Sequence, residues 1–334
     1  MTLRFGIVGC GMIGRLYADR LRQLGHDVVA ACDPDLSRAA ALAPVGRACR
    51  DHSEMFAAGA LDVACICSPT PYHHRAVLDA ARHGLHVFLE KPMATTLAEA
   101  REMSEAMATA RRSLGFGLKM RFEAIFAEAR RLVEEGYIGR VTNSMFSFYQ
   151  PLPPGERIWY VNVGVLRDML IHVFDLAAYL SEATPVRVRA STASVLGYAG
   201  EDRAAVDLLF DNGATAHVRG GYLPGFPEVA GQEDIVFQIV GERGYILGKR
   251  PDLLLLVSGS GTQHLTINPV DAFEAELRAF ADAIEKGSPV PVGSSAGMLT
   301  QSIISAAETS ANRQCSWLDV VELKAREAGY SDKQ

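Results

Sequence analysis

The sequence predicts two domains: an α/β domain built on a doubly wound parallel sheet, then an α+β domain whose sheet is largely antiparallel. Three observations carry that expectation. Over residues 1–120, short β-branched runs alternate with Ala-rich, charge-bearing helical stretches, the pattern of a parallel sheet wrapped by helices. A glycine-rich turn joins the first such run to the first helical stretch. From about residue 140 the texture changes to alternating strands such as Val186-Arg187-Val188-Arg189, and Asn212-Gly213 stands between two apolar runs as a hairpin turn.

In chain order, strands are expected at 4–9, 27–32, 62–67, 86–90 and 114–118. Helical periods at 12–24, 71–83 and 96–112 are each long enough for a right-handed crossover between parallel strands. Two further helical stretches, 164–180 and 270–286, interrupt or follow the later strands and make the second domain α+β. No repeat, low-complexity segment or charge block is present.

A chain of 334 residues, 49% apolar and 22% charged, suits two folded domains and excludes a disordered chain or a small disulfide scaffold. The 33 Lys and Arg against 39 Asp and Glu leave a charge of −6, which argues against nucleic-acid and anionic-membrane partners. Six cysteines, at 10, 32, 49, 65, 67 and 315, form no CxxC pair and no zinc spacing, as in a reducing compartment. Arg4-Phe5-Gly6-Ile7-Val8 enters a strand with no export leader before it. The longest purely aliphatic run, Leu253–Val257, is five residues against the ~20 that span a bilayer. A cytoplasmic protein is expected.

Gly9-Cys10-Gly11-Met12-Ile13-Gly14 follows a strand and opens a helix, the context in which GxGxxG carries meaning. Gly9 permits the tight turn, Gly11 lets the backbone approach a pyrophosphate, and Gly14 lets the helix pack on the strand. Asp33 lies 19 residues beyond Gly14, at the end of the second strand, where a carboxylate can bind both adenosine ribose hydroxyls. It favours NAD over NADP, with Ser37 and Arg38 leaving dual use open, and it can also cap the helix that follows. Ser68-Pro69-Thr70-Pro71-Tyr72-His73 and Glu90-Lys91-Pro92 follow two further strands, at the sheet edge where ligands bind. For Lys91 the alternative is solvated surface.

A third constellation runs from Gly164 to Leu180. On a helix, Asp168, His172 and Asp175 fall within a stripe about 60° wide. Their neighbours Met169, Leu170, Ile171, Val173, Phe174 and Leu176 are apolar, so the helix should be buried and its polar stripe must be paired or face a polar cavity. A satisfied internal His–Asp hydrogen bond is the other reading. His73 and His74 are adjacent and point ~100° apart on a helix, which supports no metal site. Trp159 and Tyr160 offer rings for a sugar to stack on, or core packing.

The order GxGxxG, Asp33, Thr70-Pro71-Tyr72-His73, Glu90-Lys91-Pro92, Arg121-Phe122 and Asp168-x-x-x-His172 resembles the glucose-fructose oxidoreductase and inositol dehydrogenase family (Gfo/Idh/MocA) over nearly the whole chain. The resemblance implies a Rossmann domain at 1–120 that binds NAD through Gly9, Gly11, Met12, Ile13, Gly14, Asp33, Ser68, Pro69, Thr70, His73, Glu90 and Lys91. It implies a domain at 121–334 with an open, mostly antiparallel sheet through which dimers or tetramers assemble, and it singles out Lys91, Asp168 and His172 as catalytic. Arg121 and Tyr160 join those three as residues for the substrate. One departure is Asn162-Val163-Gly164 with Arg167, where many members carry a glycine run; the loop over the pocket is reshaped, and inositol or glucose specificity does not transfer automatically.

The expected reaction is oxidation, or the reverse reduction, of a secondary ring hydroxyl of a sugar, aminosugar, aminoglycoside or cyclitol by hydride transfer with NAD. His172 acts as general base, Asp168 orients it or binds a neighbouring hydroxyl, and Lys91 stabilises the reacting oxygen. Two alternatives are a redox-neutral NAD-dependent glycoside hydrolase and a non-catalytic NAD-binding regulator.

Overall fold

A computed structural model of the chain describes residues 2–43, 46–152, 159–223 and 233–320, with backbone alone at 159–160. The described residues fall into two units, Met1–Lys119 with Asp271–Gln301, and Met120–Val270 with Ser302 onward.

The first unit is built on six strands: β1 (Arg4–Val8), β2 (Asp27–Cys32), β3 (Arg47–Cys49), β4 (Val63–Ile66), β5 (His86–Leu89) and β6 (Leu114–Phe116). All pair in parallel, in the order β3-β2-β1-β4-β5-β6. The order reverses between β1 and β4, so the carboxyl ends of these strands form the switch point where doubly wound sheets take ligands. The apolar run Val63-Ala64-Cys65-Ile66 is buried throughout, as a parallel strand covered on both faces must be. Between the strands stand α1 (Met12–Gln23), α2 (Leu36–Leu42), α3 (His52–Ala57), α4 (His73–Arg82) and α5 (Leu97–Thr109). Thr96 and Glu99 close a capping box on α5. α2, β3 and α3 are too short to show a period in the sequence.

The second unit opens with α6 (Ala124–Glu134) and β7 (Val141–Pro151), followed by α7 (Trp159–Val163), a π-helical turn at Leu166–Leu170 and α8 (Ile171–Ser181). Its strands continue as β8 (Pro185–Ala193), β9 (Arg203–Phe210), β10 (Thr215–Leu223), β11 (Asp234–Gly241), β12 (Gly244–Lys249), β13 (Leu253–Ser258), β14 (Gly261–Thr266) and β15 (Leu318–Asp319). The nine strands lie in the order β14-β13-β12-β11-β7-β10-β9-β8-β15. β7 and β10 run parallel, from Asn143 opposite Thr215 to Pro151 opposite Leu223, and every other neighbouring pair is antiparallel. The sheet is therefore mixed, with its one parallel pair at the centre. The β9–β10 hairpin turns through Asn212-Gly213, where Gly213 has φ +83 and Asn212 Oδ1 accepts the Ala214 N–H at 2.9 Å. Alternate residues of β9 are buried, which gives the sheet one covered face. Nothing at Gly220 separates that face from the helix: a Cβ there would lie 2.4 Å from Phe148 O and 2.6 Å from Leu170 Cδ2.

The last helices, α9 (Ala272–Lys286) and α10 (Ser294–Asn312), correct the expected division at 120/121. The first break does fall between Lys119 and Met120, but residues 271–301 return to the first unit. The physical reason is the apolar face of α9. Phe280 packs edge-on against Phe88 at 5.2 Å, Phe273 against Tyr17 at 5.8 Å, and Leu277 and Ala281 join the same core. Gly115 on β6 makes room, since a Cβ there would lie 2.5 Å from the Phe280 ring. Among the described residues no helix is long and apolar enough to cross a membrane.

Candidate active site

In the first unit, three turns at carboxyl ends of strands define the ligand edge. Gly9 has φ +90, and a Cβ on it would lie 2.7 Å from the Ser68 nitrogen, so glycine is demanded twice. At Gly14 a Cβ would lie 2.0 Å from Gly9 O, which allows α1 to start against the strand. Gly11 differs: a Cβ there would meet nothing within 4 Å. The open space lies at the N-terminus of α1, which has no side-chain cap and no acidic residue in its first turn, so the positive end of its dipole suits an anion. Met12, the first helical residue, is exposed and Ile13 packs against the core.

Asp33 Oδ2 accepts the Cys10 N–H at 2.9 Å and Oδ1 accepts the Asp35 N–H at 2.9 Å, which fixes the carboxylate beside the glycine turn. The N-cap of α2 is Asp35 and not Asp33: its side chain takes both the N–H and the hydroxyl of Ser37, and Arg38 pairs with it at 3.4 Å. The two residues that left 2′-phosphate binding open are thus engaged with Asp35.

The second turn, Ser68-Pro69-Thr70, leads through a 3₁₀ turn at Thr70–Tyr72 into α4. Ser68 Oγ is buried and has no hydrogen-bond partner among the described residues, a polar atom awaiting a ligand. His73 is only 1% exposed; its Nε2 meets Ser68 O at 2.7 Å and its Nδ1 meets Pro92 O at 3.0 Å. It ties the second turn to the third, and burial lowers its pKa against the pull of those carbonyls. In the third turn, Glu90 Oε2 accepts the N–H of half-buried Lys91 at 3.0 Å, and Glu90 Oε1 accepts the Tyr17 hydroxyl at 2.6 Å. The open cradle at Gly11, the unsatisfied Ser68 Oγ and the fixed Asp33 carboxylate together fit a dinucleotide.

In the second unit, the π turn and α8 carry the polar stripe. Gly164, with φ +90, precedes it in a spot filled by the Glu201 carboxylate, 2.2 Å from where a Cβ would be. Glu201 Oε1 accepts the Leu166 N–H at 3.0 Å and so caps the turn from a distant loop; burial raises its pKa. Asn162, the first residue of the departing loop sequence, accepts the Ala199 N–H at 3.3 Å. Asp168 follows on the π turn, a helical irregularity frequent at functional sites. The Tyr222 hydroxyl donates to Asp168 Oδ2 at 2.7 Å, and Gln150 Nε2 approaches the same oxygen at 3.5 Å. His172 stands one turn further, 6% exposed.

Asp175, the third residue of the stripe, is taken up by Arg121. Arg121 Nε and Nη2 reach its two oxygens at 2.7 and 2.5 Å, and the guanidinium lies 4.8 Å above the Tyr179 ring. Burial raises the Asp175 pKa and the guanidinium opposes it. The structure thus places Arg121 in a bidentate tie within the second unit. Arg167 is held likewise by Glu308, at 2.5 and 2.8 Å. The Tyr160 side chain lies outside the described residues. Tyr222, Gln150 and Glu201 were not picked out from the sequence, and no local signal marks them, since each reaches the stripe from a strand or loop remote in the chain.

A doubly wound sheet with a glycine-rich switch-point turn, joined in one chain to a mixed-sheet unit bearing an Asp–His stripe, defines a dinucleotide-binding oxidoreductase. The family described as "Oxidoreductase family, NAD-binding Rossmann fold" matches residues 3–118, and its C-terminal domain matches 126–247. The chain belongs to this GFO/IDH/MocA family. It is 27% identical over 320 residues to the inositol 2-dehydrogenase of Rhizobium meliloti, covering 93% of this chain and 97% of that one. It is 28% identical over 308 residues to the 1,5-anhydro-D-fructose reductase of Ensifer adhaerens, covering 87% and 91%. An Agrobacterium radiobacter oxidoreductase, solved with NAD+, L-tartaric acid and magnesium, shares the fold with a TM-score of 0.88 at 22% identity, over 96% and 99% of the two chains.

Proposed function

We propose that the protein transfers hydride between NAD and a secondary ring hydroxyl of a sugar, aminosugar or cyclitol, in either direction. The observation that carries this reading is the Asp168–His172 pair: a carboxylate fixed by Tyr222, and an imidazole one turn on, in a helix whose other residues are mostly buried. Two relatives named for an inositol and for an anhydrosugar support a polyhydroxylated ring as substrate.

His172 takes the hydroxyl proton, because imidazole titrates near neutrality. Asp168 orients His172 or accepts a neighbouring hydroxyl. Lys91 hydrogen-bonds the reacting oxygen and stabilises the negative charge that grows on it. When bound, NAD supplies the hydride-accepting carbon. It is held by Gly9, Gly11, Met12, Ile13 and Gly14 at the pyrophosphate, by Asp33 at the ribose, and by Ser68, Pro69, Thr70, Glu90 and Lys91 along the sheet edge, with His73 fixing the last two turns to each other. Asp33 repels a 2′-phosphate, and Asp35 occupies Ser37 and Arg38, so NAD is preferred over NADP.

The protein assembles as a dimer or tetramer through the nine-stranded sheet, whose exposed Met145 and Val236 support an interface. Its free cysteines suit the cytoplasm. The testing experiment is NADH formation with free inositols, hexoses, aminosugars, aminoglycosides and nucleotide sugars. A signal confined to one ring-alcohol class is expected. Sugar release with a constant NAD pool would replace this reading with a redox-neutral hydrolase.

A further inference from the structure

Beneath the Lys91 turn, half-buried Glu90 and buried Glu276, remote in sequence, meet one tyrosine hydroxyl. Tyr17 Oη lies 2.6 Å from Glu90 Oε1 and 2.8 Å from Glu276 Oε1. Tyr17 is fully buried and Glu276 is 2% exposed. A phenol has one proton to donate, and an ionised carboxylate has none. Two short contacts on one hydroxyl therefore require one of the two carboxyl groups to be a protonated acid that donates to Tyr17.

The surroundings decide which. Glu90 Oε2 accepts the Lys91 N–H at 3.0 Å, so both its oxygens are satisfied as acceptors. Burial raises the Glu90 pKa, and the charges of Lys91 and Lys119 with the hydrogen bonds from Tyr17 and the Lys91 N–H oppose it in favour of the ionised form. Glu276 Oε2 is buried and has no hydrogen-bond partner among the described residues; burial and the like charges of Glu90 and Asp271 favour its neutral form, against the Tyr17 hydrogen bond and the charge of Lys119. The remaining titratable neighbour, Cys67, faces Tyr17. Gly117 closes the space: a Cβ there would lie 2.9 Å from Tyr17 Oη and 3.0 Å from Glu90 Oε1.

We infer that Glu276 is a carboxylic acid that stays neutral across the neutral pH range and a positioning residue for the Lys91 turn, acting through Tyr17 and Glu90. The chain of donors runs one way. Glu276 Oε1–H donates to Tyr17 Oη, Tyr17 Oη–H donates to Glu90 Oε1, and Lys91 N–H donates to Glu90 Oε2. The three acidic groups together hold one negative charge, placed on the carboxylate that touches the Lys91 backbone. The positioning role rests on the reading of Lys91 as catalytic; the protonation state does not.

The test has one arm for each. Infrared spectra of the whole protein are taken at about pH 8, where an ordinary glutamate (pKa about 4.3) is ionised. They should show the C=O stretch of a protonated carboxyl that shifts on 13C-glutamate labelling and is absent from Glu276→Gln. No such band, or one that survives Glu276→Gln, overturns the inference. In the kinetic arm, Glu276→Gln, whose amide can still donate to Tyr17, should keep kcat within about threefold, whereas Glu276→Leu should lower it about tenfold or more with NAD affinity preserved. A Glu276→Leu enzyme with wild-type kcat overturns the positioning role. If that variant does not fold, Tyr17→Phe, which breaks the chain at its middle, takes its place. If no substrate gives NADH, the proposed activity fails while the infrared arm still decides the protonation state.

Discussion

At the scale of single residues, the roles proposed for His172 and Lys91 predict that their removal separates chemistry from cofactor binding. Lys91→Ala and His172→Ala should each lower kcat by about two orders of magnitude or more, while NAD affinity, followed by fluorescence titration, stays within about threefold. Tyr222 gives a sharper test of Asp168. Tyr222→Phe removes the hydroxyl that donates to Asp168 Oδ2 at 2.7 Å, a charge-assisted bond of about 1.5–3 kcal/mol. The expected outcome is a loss of about tenfold or more in kcat/KM for the ring substrate with the KM for NAD unmoved, read from steady-state kinetics. Lys91, Asp168 and His172 stand out as candidates in the sequence through the family resemblance of the short motifs that hold them, while spacing alone left each with a bland alternative. Tyr222 and Glu201 do not: Tyr222 stands 54 residues from the carboxylate it holds, and Glu201 stands 35 from the N–H it caps.

The elements that present these residues differ in how they are held. The π turn and α8 are fastened by the Arg121–Asp175 pair, in which Asp175 is 1% exposed. Arg121→Ala leaves a buried charge without its partner and should destabilise the second unit by about 3–5 kcal/mol in urea unfolding near neutral pH. Arg121→Met combined with Asp175→Leu, which removes both charges, should recover most of that loss. The long apolar runs made β1, β2, β4, β5 and β6 legible, since strands buried on both faces announce themselves. The Ser- and Thr-rich α10 was not, because its helix rests on burial of Ile303, Ile304 and Ala307 and not on local propensity. The parallel β7–β10 pair has no local signature either, as it joins segments more than sixty residues apart. The expected helix at 270–286 was found at Ala272–Lys286, but its assignment to the first unit follows from Phe273 and Phe280 meeting Tyr17 and Phe88, which the sequence alone does not reveal.

For the whole molecule, buried carboxyl groups link stability to pH in a definite direction. Burial raises the pKa of Glu276 well above the ordinary carboxylate range. The folded protein therefore keeps a proton that the unfolded chain releases. The stabilisation from that group is complete below the ordinary carboxylate pKa and is lost as pH rises through the folded value. Exposed Asp35 and half-buried Asp51, whose pKa values are lowered by hydrogen bonds from Ser37 and Ser53, act in the opposite sense, and their stabilisation is lost toward acid. Urea unfolding of wild type and Glu276→Gln from about pH 5 upward should show the variant gaining relative stability by about 1.4 kcal/mol per pH unit until Glu276 ionises in the fold.

In the proposed reaction a ring carbinol of the substrate gives its hydrogen directly to NAD under the control of His172 and Lys91. Its most direct test uses a substrate from the active class carrying deuterium at the reacting carbon. The deuterium should appear in NADH, single-turnover rates should show a primary isotope effect, and His172→Ala and Lys91→Ala should slow that same step. Deuterium retained in the sugar product or lost to water, with NAD unchanged, would contradict it.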